Sequence, residues 1–496
     1  MYHIGFDIGS SSVKASLVDA HTSATLARVQ SPEKEMGIFA ARAGWAEQDP
    51  EMWWEHCCLA AKKLLQKSAI EPSSIAAIGI SYQMHGLVVV GAEGQVLRPS
   101  IIWCDSRAVE IGHAALQALG EPYCLEHCLN APGNFTASKL KWVKDQEPAI
   151  FEKIWKIMLP GDYIAFRMTG EATTTVGGLS EGILWDFKEN RPAQRLLQYF
   201  GFSENLLPEI VPTFGQHGKL TRLAAAELGL PAGVPVTYRA GDQPNNALSL
   251  NVLLPGEVAA TGGTSGVVYG VSDQRISDAQ NRINSFAHVN HTADHPRIGA
   301  LLCINGAGIQ YSWLRRQLAG DDVSYDELEA LAATVGQGSE GLRIFPFGNG
   351  SERLFANQNL GAQVQNLHFN LHEKPHLIRA ALEGVAFSFV YGMKALTELG
   401  LKVSVLRVGN DNLFQSAVFS SSISNLLGCR IELLKTNGAT GAAMAAGVGI
   451  GHWSAVGDGL GQLERSGTYE PAHGQYERLA DAYADWEERL EKMITP

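Results

Sequence analysis

Two short stretches of the chain carry the same chemistry twice. Gly9, Ser10 and Ser11 stand in DIGSSSVKASLVD (7–19), and Gly263, Thr264 and Ser265 stand in TGGTSGVVYGVSD (261–273). The match holds at a constant offset of 254, and Val13, Leu17 and Asp19 fall on Val267, Val271 and Asp273 at the same offset. A glycine followed by hydroxyl residues exposes backbone N–H and side-chain O–H donors with little bulk, which suits phosphate oxygens. One such turn alone is ordinarily only a turn. Its duplication with matched flanks favours two anion cradles gripping one polyphosphate from opposite sides of a cleft. Asp7, an acid immediately before the first turn, can hold a magnesium ion through water or hydrogen-bond the turn backbone, and the residues leave both readings open.

The elements that must position these turns follow from periodicity. HIGFDIGSSSVKASLVDA alternates apolar and polar residues on both sides of Gly-Ser-Ser, the pattern of a hairpin opening a domain. IAAIGISY (75–82), GLVVVGA (86–92) and RPSIIWCDSR (98–107) are expected as further strands, and Asp49-Pro50 starts a helix through the following run of helix formers. The second half repeats the logic with strands around 257–271, a helical stretch from Gly308 to about Leu318, a strand at 343–347 and a long helix in KPHLIRAALEGVAFSFVYGMKALTEL. Strands alternating with helices predict an α/β protein. Tyr476, Leu479, Tyr483, Trp486, Leu490 and Met493 recur at helical spacing and predict a terminal helix packed on the domain by an apolar stripe.

The chain has 496 residues, more than one hydrophobic core usually supports, so two domains are expected, 1–250 and 251–496. Hydrophobic residues make up 45% and charged residues 18%, a globular balance rather than a disordered one. A net charge of −12 argues against nucleic acid or anionic lipid as partner. No signal sequence or membrane-length apolar run appears, so a cytoplasmic protein with no membrane partner is expected. Seven scattered cysteines predict reduced thiols, and in CLEHC (124–128) nothing nearby completes a four-ligand zinc site.

The common nucleotide loops are missing: there is no G-x-x-x-x-G-K-[ST] and no strand-borne G-x-G-x-x-G. Gln83, Met84 and His85 follow the strand IAAIGISY and can point into a cleft, offering an apolar face and directional hydrogen bonds of the kind a sugar needs.

The whole chain resembles the FGGY carbohydrate kinases of the sugar kinase, Hsp70 and actin superfamily, and their xylulokinase branch above all. Besides the two turns, the resemblance is carried in the family's order by WAEQDPEMWW (45–54), GISYQMHG (79–86), RPSIIWCDSR (98–107), LPGDYIAFRMTGE (159–171), AGDQPNNAL (240–248) and ALEGVAFSF (381–389). It implies two duplicated actin-like, ribonuclease H-like domains about a cleft, ATP and Mg2+ as cofactors, and transfer of phosphate to a ketopentose, D-xylulose first. It also implies roles. Asp242, which follows the strand-like VPVTYRA and a glycine, is the expected general base. Met84, His85, Asp105 and Asp242 line the sugar, with Gln83 expected beside them from its place after the strand, while Gly9, Ser10, Ser11, Gly263, Thr264 and Ser265 hold the phosphates. Asp7 keeps its expected role at the metal from its place before the first turn. Gly409 and Asn410 in LRVGNDNLFQ (406–415) are expected at the adenosine, although Asn410, Asp411 and Asn412 depart from the family's Gly-Gly-x-x-x-Ser pattern. Arg239, before the glycine and acid, is a second departure. Arg107 and the tryptophans 45, 53 and 54 are weaker candidates that an ion pair and buried packing explain equally. The alternatives are another FGGY substrate (glycerol, ribulose, rhamnulose, fuculose, gluconate or sedoheptulose) and a sugar-independent ATPase of the Hsp70 or actin kind. A homodimer is the assembly to test.

Overall fold

The first hairpin forms from β1 (Tyr2–Ile8) and β2 (Val13–Asp19), paired antiparallel from Tyr2–Asp19 to Ile8–Val13. The computed structural model describes residues 1–494 except 321, 411, 455, 461, 462, 473 and 475. β3 (Thr25–Ser31) extends the hairpin, and β4 (Ile75–Tyr82) and β5 (Val236–Gly241) add parallel strands on the other side, giving the order β5-β4-β1-β2-β3. β1, β4 and β5 are almost continuously buried, as the apolar runs require of strands covered on both faces.

The second sheet is built on β6 (Glu257–Gly262), β7 (Gly266–Ser272), β8 (Asn284–Ala287), β9 (Ile298–Ile304), β10 (Val405–Gly409), β11 (Arg430–Leu434) and β12 (Arg465–Tyr469), in the order β8-β9-β7-β6-β10-β11-β12. Without its edge strands it reads β9-β7-β6-β10-β11, with a hairpin, a third antiparallel strand and two parallel strands. That is the topology of the first sheet, so the duplication seen in two turns extends to two domains. The match slips at the turn itself. Ile8 pairs with Val13, leaving 9–12 in the loop, whereas Gly262 pairs with Gly266, leaving only 263–265. The constant offset therefore holds through the turn residues and is one residue out along the return strand.

The helices that matter for the cleft are α1 (Pro50–Ser68), α2 (Thr136–Gln146), α3 (Pro160–Thr169), α4 (Val176–Glu181), α5 (Asp242–Ser249), α6 (Gly308–Leu314), α7 (Tyr325–Ala333), α8 (Lys374–Glu398), α9 (Gly438–Gly449) and α10 (Glu477–Ile494). Asp49 caps α1 by accepting the Glu51 N–H, with Pro50 in its first turn. The alanine-rich α9 belongs to the second half of the chain but packs on β1 and β4 of the first sheet. A Cβ on Gly5 would lie 1.9 Å from the Ala439 carbonyl oxygen and one on Gly79 2.0 Å from that of Ala442, so glycine in the strands sets this backbone approach.

In α10, Leu479, Tyr483, Trp486 and Leu490 are buried, and Trp486 stacks on Phe345 at 5.2 Å. Tyr476 precedes the helix and is exposed. RPSIIWCDSR differs from its expected strand. Only Ser100–Ile101 pairs, and the rest turns because Asp105 and Arg107 fold onto one another. The seven cysteines are free, and in CLEHC the His127 Nδ1 lies 2.8 Å from Asp186 Oδ2 while Cys124 and Cys128 are buried. Among the described residues, no helix is long and apolar enough to cross a membrane.

Candidate active site

β1, β4 and β5 are mutually parallel, so their carboxyl ends fall at one edge of the sheet, where ligands of α/β proteins bind. This edge gathers residues that are far apart in sequence. Asp7 pairs with Ser81, Ile8 and Gly241 both pair with Tyr82, and Gln83 to His85 follow directly. Asp242 opens α5 at the end of β5.

Both hairpins open onto the space between the lobes. Asp7 and Lys14 of the first and Thr261 and Val267 of the second line one cavity of about 260 Å3, with Asn246 and Gly438. The Ser81 hydroxyl donates to Asp7 Oδ1 at 2.9 Å, and Asp7 Oδ2 faces the start of α9, where a Cβ on Gly438 would lie 2.8 Å away. Burial raises the pKa of Asp7 and pushes that of Asp242 up to about 7, with the charge of Asp7 the second cause at Asp242. Asp7 and Asp242 are desolvated carboxylates within one another's field, with the Lys14 cation acting on Asp7, and a divalent cation such as Mg2+ fits these oxygen donors.

Each turn is braced. Gln48 of the WAEQDP stretch donates to the Ser10 carbonyl at 2.6 Å, accepts from Trp53 Nε1 at 3.1 Å and faces Gln83 Nε2 at 3.3 Å. The carbonyls of Gly263 and Thr264 accept the N–H groups of Gly308 and Ile309 at 2.9 and 3.1 Å. A Cβ on Gly308 would stand 2.3 Å from the Gly263 oxygen, so α6 can brace the turn only with glycine there.

Beside the second turn lies a cavity of about 440 Å3, lined by Gly262 to Thr264, Gly308, Tyr311, Glu329, Asn412 and Ser416 among others. Its size and its position next to a phosphate-type turn suit an adenosine. Gly409 and Asn410, expected here, do not line it. Gly409 borders the cavity beside Asp7, and Asn410 borders an opening near Lys14 and Arg28. β10 ends at Gly409 and the chain then enters a 3-10 turn over Asn412–Gln415, which moves the contacts downstream. Asn412 instead accepts the Gly262 N–H at 3.1 Å. Asp411 lies outside the described residues. The α6 and α7 residues that line this cavity were not legible in the sequence, where Gly308 stood only as the start of a helical stretch.

On the sugar side, Met84 is buried against Gly241. His85 holds φ at +63°, and its Nδ1 lies 3.0 Å from the Glu181 carbonyl oxygen. A carbonyl only accepts, so Nδ1 carries the proton. Burial, with the nearby Lys139 cation second, drops the ring pKa to about 3, which leaves Nε2 a lone acceptor at neutral pH. Lys139 is fully buried and donates to the carbonyls of His85 and Ile102 at 2.9 and 3.0 Å, and burial lowers its pKa to about 7. Trp103 is 54% exposed and reaches Ser10 Oγ at 3.4 Å, an aromatic face the sequence reading passed over.

Asp105 is placed differently from expectation. It is wholly buried, its Oδ2 accepts from the Ala46 N–H at 2.6 Å, and Arg107 grips both oxygens at 2.7 to 3.0 Å. Arg107 also pairs with Glu47 at 2.7 Å and lies 3.8 Å over the Trp45 ring. An ion pair so enclosed ties the 45–48 segment, and with it Gln48, to the 102–107 turn, and it leaves Asp105 no free oxygen for a sugar. Trp53 and Trp54 are likewise packing residues, buried under the first sheet.

Two repeats of one sheet topology, each with its own glycine-hydroxyl hairpin, closing on a carboxylate-lined cleft define a two-lobed phosphotransferase of the sugar kinase type. The chain belongs to the FGGY family of carbohydrate kinases, whose N-terminal domain matches residues 2–249 and whose C-terminal domain matches residues 258–450. It is 28% identical to the xylulose kinase of Bacillus subtilis over 97% of this chain and 96% of that protein. It is also 28% identical to the xylulose kinase of Escherichia coli over 90% and 88%. Among solved structures, the xylulose kinase of Rhodospirillum rubrum superposes with a TM-score of 0.88 at 25% identity, covering all of both chains.

Proposed function

We propose that this protein transfers the terminal phosphoryl group of ATP to the 5-hydroxyl of D-xylulose, with Asp242 as general base. The observation that carries the assignment of the base is the placement of Asp242. It opens a helix at the edge where β1, β4 and β5 end, beside Asp7, with a carboxyl pKa of about 7. A base poised near ambient pH can take a hydroxyl proton as the oxygen attacks and still release it afterwards. The xylulose kinases matched along nearly the full length support the choice of sugar.

The division of labour follows the two lobes, 1–250 and 251–496, and their sheets, drawn from residues 2–241 and 257–469, support that boundary. The first lobe presents Met84 as an apolar face and His85 Nε2 as acceptor for a sugar hydroxyl. The Gly9-Ser10-Ser11 and Gly263-Thr264-Ser265 turns offer N–H and O–H donors to the phosphates, and the cavity beside the second turn takes the adenosine. Asp7 would hold Mg2+, which when bound neutralises charge on the phosphates. Closure of the lobes would exclude water from the transferred group.

The test is ADP release by the purified protein over ketopentoses, aldoses, glycerol, gluconate and sedoheptulose. D-xylulose is expected to give the highest kcat/KM. Turnover that no sugar stimulates would refute the kinase reading, and a higher kcat/KM on another sugar would refute the substrate.

A further inference from the structure

Glu181, the last residue of α4, carries a carboxyl that the reaction as described does not use. Glu181 is 2% exposed, and the Tyr82 hydroxyl is the neighbour that faces its carboxyl, off the geometry of a good hydrogen bond, so both oxygens are under-satisfied. A buried polar group left unpaired costs stability, so its persistence asks for a partner in the working state. The carboxyl borders a small cavity with Met84, Gly241 and Phe286, and a Cβ on Gly241 would lie 2.9 Å from Glu181 Oε2. Gly241 directly precedes Asp242. The carbonyl of the same Glu181 fixes the His85 ring, and that ring lies 5.3 Å from Phe286, which reaches over from β8 of the second lobe. One residue thus faces the proposed base, the apolar wall and the histidine together.

The geometry points to Glu181 as a specificity-determining residue of the sugar pocket, hydrogen-bonding a hydroxyl of the acceptor other than the one phosphorylated. This rests on the sugar-kinase reading above. The group suits the task because burial, reinforced by the Asp242 and Asp162 charges and only partly offset by the Tyr82 hydroxyl and the Lys139 cation, raises its pKa well above the usual carboxylate range. A neutral carboxyl both donates and accepts, which matches a hydroxyl, whereas an ionised one beside Asp242 would repel it.

The test compares wild type, Glu181→Gln and Glu181→Leu on D-xylulose and its monodeoxy analogues. Glu181→Leu is expected to raise the sugar KM at least tenfold with kcat and the ATP KM within about threefold of wild type. Glu181→Gln, which keeps a donor and an acceptor, should stay near wild type. One deoxy analogue should lose the same factor with wild type and nothing further with Glu181→Leu. An unchanged sugar KM in Glu181→Leu, with only a higher melting temperature, would overturn the assignment and leave the carboxyl as a structural group or a water ligand. Should Glu181→Leu fail to fold, calorimetric sugar affinity from pH 6 to 9 decides. The charged or titrating groups about Glu181 are Tyr82, Lys139, Asp162, Arg239, Asp242 and Tyr269. They are common to wild type and Glu181→Gln, so affinity should fall with rising pH more steeply in wild type, and parallel curves would overturn the proposal. Absence of sugar-stimulated turnover in wild type would instead refute the kinase reading.

Discussion

Arg239 Nε lies 2.8 Å from Asp162 Oδ1, with the two side chains 0% and 3% exposed, and Arg239 Nη2 donates to Thr173 Oγ1 at 3.2 Å. The pair ties β5, three residues before Asp242, to the first turn of α3 in the LPGDYIAF stretch. Asp162 also accepts from Thr174 Oγ1 at 2.9 Å. The arginine that departs from the family pattern is therefore one half of a buried lock under the strand that delivers the proposed base.

Removing one half should be worse than removing both. Arg239→Ala leaves a buried carboxylate unpaired and is expected to cost about 3–5 kcal/mol. Arg239→Met with Asp162→Leu is expected to recover most of that loss. Urea unfolding of the two variants gives the comparison, and an Arg239→Ala protein as stable as wild type would remove the lock.

Asp242→Asn should retain sugar binding by calorimetry and lose turnover by about 100-fold or more, the range of a general base. The pH dependence has a definite sign. Asp242 must be ionised to act and its pKa is about 7, so kcat/KM should fall as pH drops through that value. Stability runs the other way. The folded pKa is raised above the ordinary value of 3.8, so the native carboxyl resists ionising and stability is lost as pH rises from about 4 to 7. Asp242→Asn should accordingly melt higher than wild type at pH 8 and equally at pH 4, by scanning calorimetry.

Asp7→Asn should weaken the dependence on Mg2+. The expected result is a rise of at least tenfold in the Mg2+ concentration for half-maximal turnover, with the sugar affinity of the nucleotide-free protein little changed. Titration of Mg2+ at saturating sugar measures the first quantity, and an unaltered midpoint would return Asp7 to a purely structural role at the Ser81 hydroxyl.

Gly308→Ala should act on the nucleotide alone. Its methyl group meets the Gly263 carbonyl at 2.3 Å, so either α6 or the turn must shift. The expected effect is a higher ATP KM with an unchanged sugar affinity, read by initial rates and by calorimetry with the sugar. A wild-type ATP KM would mean that the turn is not held by α6.

The sequence by itself determined the elements and the repeat. β4 runs over Ile75–Tyr82 and α8 over Lys374–Glu398, where the buried apolar run and the helical pattern put them, and the strand at Arg343–Phe347 is the RIFPF run. These are local properties, since period and capping are written within a few neighbours. Asp7, Asp242 and the two turns were visible for the same reason, each being a small motif at the end of a strand.

What only the tertiary structure decided is which groups meet and what they then spend their hydrogen bonds on. Asp105 was indistinguishable in sequence from a sugar ligand until Ala46 and Arg107 closed on both of its oxygens. The wall of the cavity proposed for adenosine assembles from α6 and α7, near one another in the chain, and from the turn after β10, roughly eighty to a hundred residues further on. Glu181 carries no motif in the sequence, and it is a buried, under-satisfied carboxyl only because α4 lies beside Gly241. Burial and pairing are sums over contacts distant in the chain, so a residue's charge state and its freedom to bind a ligand are fixed by packing rather than by its neighbours in sequence.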